Sequence, residues 1–341
     1  MDSRYRDRTI GLWQTLARRY RHETVVMGYD LLNEPLPNEW QHVYADELVA
    51  LYKDLTRAIR VIDPDHLIMY EGSHWATNFS IFSEVWDQNS ALQFHRYWMA
   101  PDEASIAPYL EARSRLGLPI YMGEGGENNL EWLYAAHRLY ETHDIGWNFW
   151  PWKKIDTRTS PASVVPPPGW DEIVTYAHGG GRPDRRAAQA TFDALLEAMR
   201  LDRCHWNEGV LRAILAHRPA EIPAWGFGYR GQGSSFQVTE GAPFPTLRAN
   251  EAAGVGPVAD DFVVNFHHTD GRPYADNERI GVTLNKGDWL EYEIDGLVRA
   301  EEVSVHGPKN RAASIKIQAT NRGVRVEAVE DTVIGGLRVS D

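Results

Sequence analysis

Over the first 150 positions, apolar residues gather in five short blocks, at 25–32, 66–70, 91–97, 118–122 and 145–150. Near-continuous apolar runs of this length predict strands buried on both faces. Between them lie amphipathic stretches, at 43–62, 77–86, 103–116 and 130–142, which predict helices. A further helix is predicted ahead of the first block, where Ile10, Leu12, Trp13, Leu16, Ala17 and Tyr20 recur at three-to-four spacing. The charged run Met1 to Arg8 has no apolar core segment and does not read as a secretory signal. Successive strand starts fall near the ~30-residue repeat of a strand-helix-strand unit. This alternation predicts a parallel sheet covered by helices.

Polar residues decide between an open sheet and a barrel. The first block ends in Asn33-Glu34-Pro35 and the second in Glu71-Gly72-Ser73-His74-Trp75. The third carries His95, Tyr97 and Trp98, the fourth ends in Gly123-Glu124-Gly125-Gly126-Glu127, and the fifth in Asn148-Phe149-Trp150-Pro151-Trp152. Chemically useful side chains at the carboxyl end of every strand describe the top face of a (β/α)8 TIM barrel. An open doubly wound sheet gathers them at one switch point. Eight strands close such a barrel, so the expected fold is an α/β barrel lacking about its first three strand-helix units. At ~30 residues each, on the order of 90 residues would precede Met1.

The pattern changes near residue 200. A Ser/Thr/Pro-rich loop at 156–170 is followed by helices predicted at 185–200 and 207–217, then by a Gly/Pro/aromatic connector from Pro219 to Gly233. Short β-type runs follow at 262–266, 279–284, 289–294, 302–306, 314–318 and 324–329. Their close spacing predicts a small all-β sandwich. The expected domains are a barrel over 1–220, a linker over 221–243 and a sandwich over 244–341.

Composition narrows the function. The 341 residues are 43% hydrophobic and 24% charged, which fits a globular chain. The net charge of −13, without clustered Lys and Arg, argues against nucleic acid as a partner. No run approaches the ~18 apolar residues of a membrane span. A single cysteine, Cys204, excludes an intrachain disulfide and a multi-cysteine zinc site. His178-Gly179-Gly180-Gly181-Arg182-Pro183 lacks the Gly-Lys-Ser/Thr ending of a phosphate loop and reads as a turn. His66, His74 and His95 form no His-x-His pair and no His-Glu-x-x-His run, so neither metal nor cofactor is expected. Tryptophan, at 13 residues, is the unusual component. Indole faces lie well against the C–H faces of pyranose rings.

Glu34 and Glu124 end two different strands on the same rim. Two carboxyl groups flanking one bond are the requirement for glycosidic cleavage, one protonating the departing oxygen and the other attacking or activating water. Asn33 can donate to a sugar hydroxyl. His95 and Tyr97 share one face of their strand by the period of two. Trp75 and Trp150 are expected to bind sugar, Trp150 because its parity matches Asn148. Glu127 rivals Glu124, but it lies beyond two glycines and further from the rigid strand.

Tyr29-Asp30-Leu31-Leu32-Asn33-Glu34-Pro35 resembles the fourth-strand signature of family 5 glycoside hydrolases, the cellulase-type members of the clan A barrels. Phe94-His95-Arg96-Tyr97, Tyr121-Met122-Gly123-Glu124 and Gly146-Trp147-Asn148-Phe149-Trp150 resemble the family's sixth, seventh and eighth strands, in that order. The resemblance implies a retaining double displacement, with Glu34 as acid/base and Glu124 as nucleophile. Residues 244–341 resemble family 6 carbohydrate-binding modules less closely, through Gly287-Asp288-Trp289-Leu290-Glu291-Tyr292. The expected protein is therefore a secreted β-glucan hydrolase, monomeric, acting on β-linked polysaccharide or oligosaccharide without nucleic-acid or membrane partners. The alternative is a non-catalytic glycan-binding protein.

Overall fold

The computed structural model describes residues 3–239, 241, 243–251, 253–308 and 312–340. Met1 and Asp341, the ends of the two expected domains, lie outside them. The chain forms two compact units: residues 1–96, 103–125 and 143–148 make the first, and 97–102, 126–142 and 149–341 the second.

The first unit is built on a five-stranded parallel sheet in sequence order: β1 (Gly28–Asp30), β2 (Leu67–Glu71), β3 (Ser90–His95), β4 (Ile120–Glu124) and β5 (Gly146–Trp147). Register fixes which side chains share a face. Asp30 pairs with Met69, Glu71 with Gln93, Gln93 with Tyr121, and His95 with Glu124. Side chains alternate along a strand, so Asp30, Glu71, Gln93, His95, Tyr121 and Glu124 all stand on one face. The opposite face carries Tyr29, Ile68, Tyr70, Leu92, Phe94 and Met122, all buried. Helix Ala45–Arg60 buries Leu48, Leu51, Tyr52, Leu55 and Ile59, the stripe expected of an amphipathic helix. Its Tyr52 meets Tyr70 edge to face at 5.3 Å. Helix Glu103–Leu116 lays Tyr109 flat on Phe94, with ring centroids 4.0 Å apart.

One irregularity matters for the site. The β3–β4 register slips between Phe94 and His95, so that Phe94 faces Met122 while His95 faces Glu124. Gly123 is the extra residue. A bulge of this kind re-aims a side chain, and here it brings Glu124 alongside His95. A Cβ on Gly123 would fall 2.2 Å from the side chain of Gln93, which is buried and hydrogen-bonded. Gly123→Ala is therefore expected to destabilise the first unit by about 1–3 kcal/mol, the usual range for overpacking. A lower denaturant midpoint in urea would register it, and an unchanged midpoint would contradict the packing argument.

Several predicted elements differ in extent. The stretch 77–86 is not a helix but a short 3-10 turn at Phe79–Ile81, with Asn78 accepting from the Ser80 N–H. Its apolar residues instead form an aromatic cluster, Phe79, Phe82 and Trp86, in successive ring contacts of 5.0 and 5.4 Å. The fifth strand stops at Trp147, the last residue in register with β4, although the Asn148 N–H still donates to the Met122 carbonyl at 2.9 Å.

The second unit contains helices Leu130–Thr142, Trp170–Ala177, Arg185–Ala198 and Glu208–Leu215. A small sheet joins Lys153–Ile155, Ala162–Val164 and His205–Trp206, so the loop expected at 156–170 includes a strand. Three antiparallel sheets follow. Trp289–Glu293 lies between Phe236–Gln237 and Gly323–Ala328, with Ile315–Ala319 outermost. Ile280–Leu284 lies between Val255–Pro257 and Thr332–Ile334. Gly336–Val339 lies between Val303–His306 and Ala220–Pro223. The Gly/Pro/aromatic connector thus contributes a strand of its own, Ala220–Pro223. The run at 262–266 forms none, and Val263 and Val264 there are exposed.

Candidate active site

The polar face of the first unit's sheet converges on one imidazole. His95 is buried to 1% exposure at the end of β3. Its Nδ1 lies 2.9 Å from Glu34 Oε1 and 3.5 Å from Glu124 Oε2. Its Nε2 lies 3.3 Å from Glu71 Oε1. One ring therefore bridges both rim glutamates and a third carboxylate behind them. The Glu34 and Glu124 side chains keep 22% and 17% exposure, so they open to solvent, while Glu71 is wholly buried.

Glu34 sits four residues beyond β1, in a bend, with a left-handed backbone at φ 44°. That conformation costs a non-glycine residue roughly 1–2 kcal/mol and must be held by its surroundings. The Glu34 N–H donates to Glu71 Oε2 at 2.5 Å, which supplies one such restraint. Gln93 Nε2 in turn donates to Glu71 Oε1 at 2.9 Å and to Asp30 Oδ2 at 2.8 Å. The Tyr52 hydroxyl, fixed in the helix, donates to the Glu71 carbonyl at 2.9 Å. Glu71 thus ties the backbone of one rim glutamate to the ring shared by both.

The charges are crowded. Burial disfavours a charged His95, but Glu71, Glu34 and Glu124 outweigh it and raise the imidazole to about 9. Burial and the neighbouring Glu71 carboxylate push Asp30 up to about 7. One ligand atom each from Glu34, His95 and Glu124 lies within 4.8 Å of the other two, close enough to converge on one small ion.

The remaining expected residues fall as follows. Asn33 is exposed in the same bend as Glu34. Trp75 is half-exposed with a left-handed backbone, and its indole N–H donates to Asn38 Oδ1 at 3.5 Å. Tyr97 and Trp150 belong to the second unit. There the Tyr97 ring lies tilted against Trp98 at 5.6 Å, and Trp150 is half-exposed. The parity argument for Trp150 does not apply, since the strand ends three residues earlier. Glu127 is also in the second unit, paired with Lys154, and its carbonyl accepts from the Trp98 indole at 3.4 Å. His66 and His74 do not join His95. His66 Nδ1 faces Asp63 Oδ2 at 2.7 Å at the start of β2, and His74 Nδ1 accepts from the Asn38 N–H at 3.0 Å.

Sequence reasoning gave Asp30, Glu71 and Gln93 no role of their own in the site. The signal was available: each is a polar residue in or closing an apolar run, and such residues are costly to bury without partners.

Comparison with known proteins bears on this geometry. A beta-xylosidase of Phanerodontia chrysosporium is 29% identical over 188 residues, which cover 44% of this chain and 38% of that protein. An endoglycoceramidase of Hydra vulgaris is 33% identical over 111 residues, covering 28% of this chain and 21% of its own. This chain therefore spans well under half the length of either relative. Among solved structures, the endoglucanase Cel5A of Thermotoga maritima matches with a TM-score of 0.42 at 19% identity, over 62% of this chain and 66% of that one. Residues 2–156 of the chain match the model of the Cellulase family, glycosyl hydrolase family 5.

Proposed function

We propose that this chain carries the catalytic pair of a retaining glycoside hydrolase acting on a β-glucan, of cellulase or glucanase type. The observation that supports it is the meeting of Glu34 and Glu124 at His95 Nδ1, with their nearest oxygens within 4.8 Å. Retaining enzymes hold their two carboxyl groups about 5–5.5 Å apart, whereas inverting ones leave about 6.5–9.5 Å for a water. The family match over residues 2–156 and the glycosidase relatives point the same way.

In this reading Glu34 protonates the departing oxygen while Glu124 attacks the anomeric carbon, forming a glycosyl ester. Glu34, now a carboxylate, takes a proton from water, and the resulting hydroxide displaces Glu124. His95 orients both carboxyl groups. Asn33 and Trp75 bind the sugar, Trp75 through its indole face. The five parallel strands are barrel strands of a domain within 1–220, and the antiparallel strands beyond it form a glycan-binding β-sandwich. A polymeric substrate is met outside the cell, which is where this reading puts the protein.

The test follows the anomer by proton NMR during hydrolysis of a soluble β-glucan and of cello-oligosaccharides. The β-anomer is expected to appear first and then mutarotate. Initial release of the α-anomer would reject the double displacement. Glycan binding without turnover would favour a non-catalytic glycan-binding protein instead.

A further inference from the structure

We propose that Glu34, His95 and Glu124 also form a binding site for one divalent transition ion of the zinc class, and that this ion excludes the sugar from the glutamate pair. The exclusion rests on the hydrolase reading above; the binding itself does not.

Three observations carry the proposal. The first is spacing. Ligand atoms about 2.0–2.1 Å from one tetrahedral ion stand about 3.3 Å apart. His95 Nδ1 is 2.9 Å from Glu34 Oε1 and 3.5 Å from Glu124 Oε2, and all three ligand atoms lie within 4.8 Å of one another. Small rotations of two partly exposed carboxylates close the remainder. Among the described residues, this is the one group of three His, Cys, Asp or Glu side chains so arranged.

The second is the support behind the imidazole. A metal-bound histidine characteristically turns its other ring nitrogen to a carboxylate, which fixes the ring and makes the ligating nitrogen a better donor. Here Nε2 faces Glu71 Oε1 at 3.3 Å, and Glu71 is itself held by Gln93 at 2.9 Å. Nδ1 is thereby aimed at the two rim carboxylates.

The third is charge. Glu34, Glu71 and Glu124 meet a single imidazole, and Asp30 shares the Gln93 amide with Glu71 beside it. A dication at the rim offsets that excess directly. The donor set selects its class. One imidazole and two carboxylates suit zinc and its neighbours, whereas calcium takes six to eight oxygens and magnesium keeps most of its waters. Three protein ligands leave the fourth tetrahedral position open, on the solvent side where the carboxylates are exposed. That is also where a sugar would enter.

Equilibrium dialysis of the metal-stripped full chain against Zn2+ decides the binding. One zinc per chain is expected, with no displacement by excess Mg2+ or Ca2+. Glu124→Gln, at a partly exposed position, is expected to weaken binding at least about 100-fold. Glu71→Gln, whose side chain meets the far ring nitrogen and the Glu34 N–H, is expected to weaken it about 10–100-fold. Circular dichroism checks that each variant is folded. Absence of stoichiometric zinc, or zinc retained unchanged by folded Glu124→Gln, overturns the site. Initial rates on a soluble β-glucan test the exclusion. Added zinc should raise KM and leave kcat unchanged, and a fall in kcat at constant KM overturns it. A stripped chain that hydrolyses nothing would defeat the hydrolase reading while leaving the dialysis result to stand.

Discussion

Glu34→Gln is expected to lower kcat/KM on a natural β-glucan by about 10²–10⁴-fold, the usual worth of a positioned general acid. The amide keeps the size of the side chain and can still pack in the bend after β1. It cannot give up a proton. The loss should therefore depend on the leaving group. A sugar hydroxyl departs poorly unless protonated, so cleavage of a glucan feels the full deficit. An aryl glycoside with an acidic phenol needs little protonation, and its glycosyl ester should still form on Glu124. Removal of that ester then lacks its base, so a burst of phenol should precede slow turnover. Glu124→Gln is expected to behave differently. Without a nucleophile no ester forms, and a better leaving group does not help. Equal losses in both variants on both substrates would contradict the separate roles. Unchanged hydrolysis by Glu34→Gln would remove that residue from the mechanism.

The two roles are assigned to residues that the sequence places with uneven clarity. Glu34 and Glu124 are legible because each closes an apolar run, and a carboxylate there is conspicuous. Their proximity is less so. It depends on the bulge at Phe94 and His95, which lets Glu124 rather than Gly123 face the ring. No local pattern announces such a slip. Glu71 is harder still: a glutamate after an apolar run reads alike whether it points to solvent or, as here, lies wholly buried beneath two others. Periodicity also misleads where packing can be met another way. Residues 77–86 satisfy their apolar positions through ring contacts, without a helix. In the second unit, Ala220–Pro223 looks like connector because its partner, Gly336–Val339, lies more than 100 residues away. Strand pairing at that separation is a tertiary fact, and a Pro-ended tetrapeptide gives little hint of it.

Arg248→Ala is expected to destabilise the second unit by about 3–5 kcal/mol, the range for breaking a buried charged network from one side. The Arg248 side chain is wholly buried. Its guanidinium donates to the carbonyls of Trp225 at 3.2 Å, Phe227 at 2.6 Å and Gly228 at 2.8 Å, and pairs with Glu251. It also lies 3.5 Å from the Phe227 ring centroid and 4.3 Å from that of Tyr229. Burying a charge is costly, and a buried ion pair can often be replaced by apolar residues without loss. That exchange works only when both partners leave together. Here the other partners include three main-chain carbonyls, which no substitution removes, and each orphaned acceptor costs about 1–3 kcal/mol. Alanine adds a cavity between two aromatic rings. Lysine keeps the charge but loses the planar fork and the stacking, so Arg248→Lys should recover only a minor part. In a domain of this size each kcal/mol moves the melting temperature by about 2–4 °C. Scanning calorimetry should therefore show the second unit melting roughly 6–20 °C lower in Arg248→Ala, with the smaller recovery in Arg248→Lys. A shift of less than about 2 °C would mean that those carbonyls find other donors once the guanidinium is gone.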